Sequence, residues 1–343
     1  MRILILGFGT VGQSLAALLA ESRERLLSLH GLEPTIVGVV DSKSGVVSRE
    51  GLEPAQLLAA KKSQGLASLP GAFPAPADAT DLITDLDADC LVQAVPSHVL
   101  APAPAVAQLK AAFASRKHAV TVTKAPLAVA MAGLLELAAY NRVQLRYSGT
   151  VGAATPFLDT AATLAKADRI VSVEGIFNGT TNFILSSMHD GGQTYEEALA
   201  EATRLGYAET DPTNDVDGID TAVKLVILAN HAILRGPARK TFADVKVQGI
   251  RSVTAQQVAA AKSQAKSIRL IGRIDENGLR VSPEHVAAGG PLDLPGATNT
   301  AVFTTATCGP VILRASGAGG PHTASAIVRD LVDIWHQMSQ TSR

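Results

Sequence analysis

The chain has 343 residues, enough for about two domains at roughly 150 residues each, and 47% of them are hydrophobic against 18% charged, a balance that packs a core and excludes a disordered chain. Lys and Arg number 30 and Asp and Glu 31, so the formal charge of -1 excludes the positive field that holds nucleic acid or anionic lipid. The two cysteines, Cys90 and Cys308, lie in the apolar strand-like runs DCLVQAV and TATCGPVIL. Both are expected to be buried thiols, which excludes a disulfide or a cysteine-based zinc site and fits a reducing, cytoplasmic compartment.

No apolar run reaches the length that crosses a membrane, since even LVILANHAIL is broken by Asn230 and His231. The start, MRILILGFGTVGQSLAALLA, imitates a secretion signal, but Gly7, Gly9 and Gly12 interrupt it, so it reads as structure. RILILG opens as a strand. A helix follows with Val11, Leu15, Leu18 and Leu19 on one stripe and Gln13, Glu21 and Arg23 off it. TIVGVVD is the next strand, and residues 65–80, rich in Gly, Pro and Ala, read as a surface loop. Strand DCLVQAV, helix PAVAQLKAAFASRK, strand HAVTVTK, helix PLAVAMAGLLELAAY and strand QLRYSGT complete an alternation that predicts a Rossmann-type, doubly wound parallel sheet of about 150 residues.

Beyond residue 150 the texture changes. IVSVEGIFN reads as a strand, and Thr194 with Glu197 forms a capping box that starts the helix TYEEALAEATRLGY. The helix GIDTAVKLVILANHAIL is apolar nearly all round after Lys224 and is expected to be a buried spine. SIRLIGRID, GLRVSPEHVA and AVFTTATCGPVILRA are strand-like and predict an antiparallel or mixed sheet. The tail GAGGPHTASAIVRDLVDIWHQM has a helical rhythm and is expected to pack on the first domain.

Gly7-Phe8-Gly9-Thr10-Val11-Gly12 matches G-x-G-x-x-G between a strand and an amphipathic helix, the context in which the motif binds a dinucleotide. Gly7 permits the tight turn, Gly9 lets the backbone approach a pyrophosphate, and Gly12 lets helix and strand pack closely, while the helix N-terminus offers N–H donors. Asp41, closing the second strand, can accept from a ribose 2′-hydroxyl and favours NAD. Lys43, Arg49, Lys61 and Lys62 follow and can each neutralise the extra phosphate of NADP, so the choice between NAD and NADP stays open. Ala94, Pro96 and Ser97 lie at the carboxyl edge of DCLVQAV, where a nicotinamide ribose rests in such a sheet, and Gly319 and Thr323 of the tail can close over the coenzyme.

The densest polar stretch runs from Gly206 and Tyr207 to Lys224 and holds Glu209, Asp211, Asp215, Asp217 and Asp220. Some of these carboxylates, Asp217 above all, read as solvated or helix-capping groups. Asp220 and Lys224 stand four apart and meet on one helix face, but Lys224 leads straight into LVILA. A surface pair is worth only about 0.3–0.5 kcal/mol, so catalysis or a structural bridge has to account for an ammonium there.

At these residues the chain resembles the homoserine dehydrogenases, which interconvert aspartate 4-semialdehyde and homoserine with a nicotinamide coenzyme. The matching segments are GFGTVG, VVDSKSG, VTVTKAPLA, GIFNGTTNFIL, EALAEATRLGYAETDPTNDVDGIDTAVKLVILA and GAGGPHTASAIVRDL. The resemblance implies that Lys224 and Asp220 are the catalytic pair and Lys124 a second active-site lysine between coenzyme and substrate. It further implies that Glu209 and Asp215 face the substrate's amino group, with Asn178, Thr180, Gly206 and Tyr207 lining the pocket. For Asn178-Gly179-Thr180-Thr181 a second reading is a helix start capped by Thr180 or Thr181.

The expected architecture is a dinucleotide domain over residues 1–147, a second α+β domain for substrate binding and dimerisation over 148–317, and a helix within 318–343 returning to the first domain. A homodimer through the second domain's sheet is expected, in the synthesis of threonine, methionine and isoleucine. Family members carry a hinge glutamate that helps enclose a monovalent cation such as sodium. Here Ser148 stands in that place, leaving the carbonyls of Val151 and Ala153, so no essential metal is expected. The chain stops soon after IVRDLVDIWHQM, so the ligand-sensing ACT domain of longer members is expected to be absent. His231 and His322 read as packing and cap residues. Two other functions remain: a dehydrogenase of another amino-acid aldehyde or ketone, and a dinucleotide sensor, which has no need of Lys124, Asp220 and Lys224.

Overall fold

The computed structural model describes residues 1–76, 78–96, 99, 101–233, 239–316 and 319–341. Two compact units divide it: Met1–Ala153 with Gly319–Arg343, and Ala154–Ala318.

In the first unit the chain forms β1 (Arg2–Leu6), α1 (Thr10–Glu21), α2 (Arg23–His30), β2 (Thr35–Val40), β3 (Ser44–Val47), α3 (Pro54–Lys62), β4 (Phe73–Pro74), α4 (Thr80–Asp85), β5 (Cys90–Gln93), α5 (Ala103–Ala114), β6 (His118–Thr121), α6 (Ala125–Tyr140) and β7 (Leu145–Arg146). The strand order is β4-β3-β2-β1-β5-β6-β7. The five strands from β2 to β7 run parallel, and β3 and β4 add an antiparallel edge. Ile3, Leu4, Ile5, Leu91 and Val92 are wholly buried, as expected of parallel strands covered on both faces. β4 and a single 3-10 turn (Leu66–Ser68) lie within the stretch expected to be loop. The chain moves from β1 to β2 on one side and to β5 on the other, so the carboxyl ends of β1 and β5 flank a topological switch point.

The tail helix (Gly320–Thr341) belongs to this unit. Ala324, Ile327, Leu331 and Ile334, spaced three or four apart on one face, are fully buried with Leu15, Leu26 and Leu32. The units part after Ala153, six residues beyond the expected 147/148 boundary. Ser148 is anchored to the tail helix, its N–H donating to Asp330 Oδ2 at 2.9 Å and its hydroxyl to Oδ1 at 2.6 Å.

The second unit contains α7 (Phe157–Leu164), β8 (Ile170–Ile176), α8 (Gly179–Gly191), α9 (Tyr195–Arg204), α10 (Thr213–Val216), α11 (Ile219–Leu228), β9 (Val245–Val247), α12 (Ala255–Ser263), β10 (Lys266–Asp275), β11 (Gly278–Ala287), β12 (Thr298–Thr305) and β13 (Gly309–Ser316). Its sheet, ordered β13-β12-β8-β10-β11-β9, is mixed: only β9 and β11 pair in parallel. α11 is buried from Thr221 to Leu228 and meets the sheet at Gly272, where a Cβ would stand 3.1 Å from Leu225 and from Thr221. The spine ends in a single π-helical segment, Ala229–Ile233.

Two expectations are corrected here. AVFTTATCGPVILRA is a hairpin, β12 and β13, and Cys308 lies exposed in its turn, where its N–H and that of Thr307 donate to the Asp168 carboxylate. An apolar flank does not bury a residue that the chain must turn through. Cys90 is buried, and desolvation drives its thiol far above the ordinary range. Among the described residues no helix is long and apolar enough to cross a membrane.

Candidate active site

In the first unit Gly7 has φ 100°, and a Cβ there would run into the carbonyl oxygen of Ala94 at the end of β5. A Cβ on Gly12 would run into the carbonyl oxygen of Gly7. Steric demand therefore fixes both glycines without reference to a ligand. Gly9 differs: the space where its Cβ would stand is open, and it caps α1 with no side chain closing the first turn. That leaves an approach to helix N–H groups at Thr10 and Val11, the cradle a pyrophosphate needs. Phe8 is wholly buried, so its side chain belongs to the core. The tail helix begins beside this turn, with a Cβ on Gly320 falling against Thr10 and Ser14. Gly319 is exposed, and Thr323 donates its hydroxyl to the Gly319 carbonyl at 3.1 Å.

At the end of β2, Asp41 Oδ1 accepts the N–H groups of Lys43 and Ser44, each at 2.8 Å, while Oδ2 pairs with Lys61. Burial alone would raise this carboxyl, but the Lys61 and backbone hydrogen bonds outweigh it and hold it low. Of the four basic residues near Asp41 in the sequence, the structure brings the side chain of Lys61 onto it. At the edge of β5 and β6, Ala94 is half-buried and Pro96 exposed, and Ser97 lies outside the described residues. Lys124, half-buried, precedes α6 at its N-cap position.

Beneath Lys124 lies a network that the sequence reading missed. Thr123 Oγ1 donates to the Val95 carbonyl at 2.9 Å, Thr121 Oγ1 to Gln93 Oε1 at 2.8 Å, and Gln93 Nε2 to Gln108 Oε1 at 2.7 Å. The four side chains are buried and ladder the ends of β5 and β6 together. Its signal was a glutamine inside the apolar run CLVQAV.

In the second unit, Lys224 Nζ stands 2.7 Å from Asp220 Oδ2 and donates to the Phe177 carbonyl at 2.5 Å, with the Lys224 and Asp220 side chains only 11% and 10% exposed. This is a buried bridge on α11, far from the solvated pair that spacing alone allows. Asn178 joins a second carboxylate to it: its Nδ2 donates to Asp215 Oδ1 at 2.6 Å and to Asp220 Oδ2 at 3.0 Å. Its Oδ1 accepts the Thr181 N–H at 2.9 Å, so Asn178, and neither threonine, caps α8. Helix capping and site assembly thus share one side chain.

Burial raises the Asp215 carboxyl above its ordinary range, and the neighbouring Asp220 charge adds to the rise, against the opposing pull of Asn178, Lys224 and Thr180. Thr180 donates its hydroxyl to the Tyr207 carbonyl at 2.7 Å, and the Tyr207 ring, 46% exposed, stacks on Phe183 at 4.5 Å. Gly206, at φ 78°, makes the turn that delivers Tyr207. Glu209 stays exposed and makes no hydrogen bond with this cluster among the described residues. Asp217 does not cap α11, which starts after Gly218 at φ 80°; it pairs with Arg251, Nε to Oδ1 at 2.5 Å.

At the hinge, Ser148 holds both oxygens of the buried Asp330 carboxylate through its N–H and its hydroxyl.

Comparison with known proteins places the chain in a family. A family model for homoserine dehydrogenase matches residues 156–332. The chain is 36% identical over 336 residues to a homoserine dehydrogenase of Methanocaldococcus jannaschii, covering 98% of this chain and 99% of the relative. It is 36% identical over 344 residues to an NAD(+)-dependent homoserine dehydrogenase of Pseudomonas canavaninivorans, covering 98% and 96%. Among solved structures, a putative homoserine dehydrogenase from Archaeoglobus fulgidus superposes with a TM-score of 0.88 at 38% identity, covering 98% and 99%. A hyperthermophilic archaeal homoserine dehydrogenase in complex with NADPH superposes with a TM-score of 0.84 at 26% identity, covering 98% of each chain.

Proposed function

Because the chain belongs to the homoserine dehydrogenase family, and so is an NAD(P)-dependent oxidoreductase, we propose that Lys224, held by Asp220, transfers the proton and that Asp215 receives the substrate's ammonium group. The bound coenzyme supplies a hydride to the aldehyde carbon. As that bond forms, the carbonyl electron pair moves onto oxygen, where the Lys224 ammonium meets the developing charge and gives up a proton to form the alcohol. In the oxidative direction a neutral Lys224 takes the hydroxyl proton. Asp220 and the Phe177 carbonyl orient Nζ for either transfer.

The observation that carries this reading is Asp215. Its carboxylate is half-buried, sits beside the like charge of Asp220, and accepts a hydrogen bond from the neutral side chain of Asn178. Such a carboxylate is stabilised by an incoming cation, and the ammonium of a 2-amino aldehyde is one. Exposed Glu209 would close on the same ammonium, with Gly206 and Tyr207 forming a wall, and Lys124 would serve as a second active-site lysine.

Gly7, Phe8, Gly9, Thr10, Val11 and Gly12 would carry the pyrophosphate on backbone groups, and Ala94, Pro96, Gly319 and Thr323 would line the rest of the coenzyme. The Asp41–Lys61 pair presents an anion and a cation together where the adenosine ribose would end. Lys61 would turn to a 2′-phosphate when NADP binds and stay on Asp41 when NAD binds, so both coenzymes would be used. Two copies of the chain are expected to associate through the second unit's sheet, whose edge strand β13 exposes Ile312.

The test is steady-state kinetics with homoserine and a panel of other 2-amino alcohols, with each coenzyme in turn. Homoserine is expected to be preferred, and Lys224→Ala is expected to lower kcat at least about a hundredfold while coenzyme binding persists. Preference for another alcohol, or a Lys224→Ala loss within about threefold, sinks the assignment.

A further inference from the structure

α2 ends at His30, where Gly31 takes φ 64° and the N–H groups of Gly31 and Leu32 return to the carbonyls of Leu27 and Leu26. The tail helix is pinned to this corner. Trp335 Nε1 donates to the His30 carbonyl at 3.1 Å, and Leu331 and Ile334 are buried with Leu26 and Leu32. These anchors bring together two imidazoles from distant parts of the sequence: His30 Nδ1 lies 3.3 Å from His336 Nε2, with ring centroids 5.2 Å apart and planes inclined at 52°. His30 is half-buried and His336 exposed, so the pair is open to solvent.

A neutral imidazole offers one lone pair and one N–H, so the pair as it stands can share a single proton. Two nitrogens bound at about 2.0–2.1 Å to one tetrahedral cation stand roughly 3.3–3.4 Å apart, which is the separation observed. A small rotation of either ring would aim both lone pairs at one point. Imidazole nitrogen suits zinc, copper and nickel over magnesium or calcium. Among the described residues no group of three His, Cys, Asp or Glu gathers around a common point, so water would complete the coordination.

We propose that His30 and His336 form a two-histidine site for a divalent transition-metal cation of the zinc class, which staples the tail helix to the end of α2. Its occupant stabilises the first unit by mass action, because both ligands are together only in the folded chain.

The probe is zinc chloride, titrated calorimetrically into the full chain and followed by thermal unfolding, with magnesium chloride as the hard-cation comparison. One zinc per chain is expected to bind and to raise the unfolding midpoint, and magnesium is expected to do neither. His30→Ala and His336→Ala are each expected to weaken zinc at least about tenfold and to remove the rise in midpoint. His336→Gln, which keeps a polar side chain at an exposed position, is expected to behave as His336→Ala does. Cys308→Ser is expected to keep full zinc binding. Undiminished zinc affinity in His336→Ala, or loss of zinc in Cys308→Ser alone, would overturn the site.

Discussion

The glycine turn after β1 and the carboxylate cluster around Asn178 solve opposite problems. At the turn, side chains have been removed so that backbone can approach backbone: Gly7 meets Ala94, Gly12 meets Gly7, and Gly9 faces open space. At the cluster, side chains from α8, α10 and α11 crowd together in a poorly solvated spot, and one amide, Asn178, joins two carboxylates that would otherwise repel. At the turn, Gly7 and Gly12 are accounted for by the fold alone. The cluster is unbalanced, because Asp215 remains ionisable, half-buried and beside a like charge. Such a group costs stability, and the ammonium partner proposed above would offset that cost.

That contrast is broken most severely at Asp215. Asp215→Asn is expected to lower kcat/KM for homoserine at least about a hundredfold, since it removes a charged partner of the ammonium. The folded state raises this carboxyl, so its stabilising contribution is present below the unfolded pKa and is lost as pH rises through the folded value. At neutral pH the carboxylate therefore works against folding, and the ligand-free Asp215→Asn variant is expected to unfold at a higher temperature than the parent in a calorimetric scan. A lower midpoint would show that the cluster is as balanced as the turn.

Gly7→Ala attacks the other side of the comparison. A Cβ at φ 100° against the Ala94 carbonyl is expected to destabilise the first unit by about 1–3 kcal/mol in denaturant unfolding and to weaken either coenzyme about tenfold or more in fluorescence titration. A fully stable Gly7→Ala variant would remove steric demand as the reason for glycine there. Lys61→Ala is a milder change. It leaves Asp41 without its cation and is expected to weaken NADP about tenfold while altering NAD less, measured as separate KM values. Equal losses for both coenzymes would reduce Lys61 to a brace for Asp41.

The smallest effect is on pH dependence. As pH falls, the KM for homoserine is expected to rise at a pH above the ordinary carboxylate range near 3.9, because Asp215 takes its proton early. A KM flat to well below that range would place substrate recognition elsewhere.

Much of the first unit was legible because its rules are local. Parallel strands buried on both faces are apolar throughout, and a turn with no room for a Cβ must use glycine, so RILILG and GFGTVG carried their structure openly. The hairpin at Cys308 was misread because apolar flanks do not reveal a turn whose N–H groups are satisfied by Asp168, 140 positions away from Cys308. Of the two readings of Asp217 the solvated one holds and the capping one does not, because it pairs on the surface with Arg251, 34 residues further on.

Periodicity, glycine spacing and the oddity of a lysine leading into LVILA were enough to read from sequence an α/β chain with a tight glycine turn and an Asp220–Lys224 pair. Tertiary structure alone decided that Asn178 ties Asp215 to Asp220, that Lys61 lies on Asp41, and that Ser148 holds the carboxylate of Asp330. The division is physical. Backbone sterics and helical repeat act over a few residues and leave a mark in the sequence, whereas burial of charge depends on which distant segments displace the water.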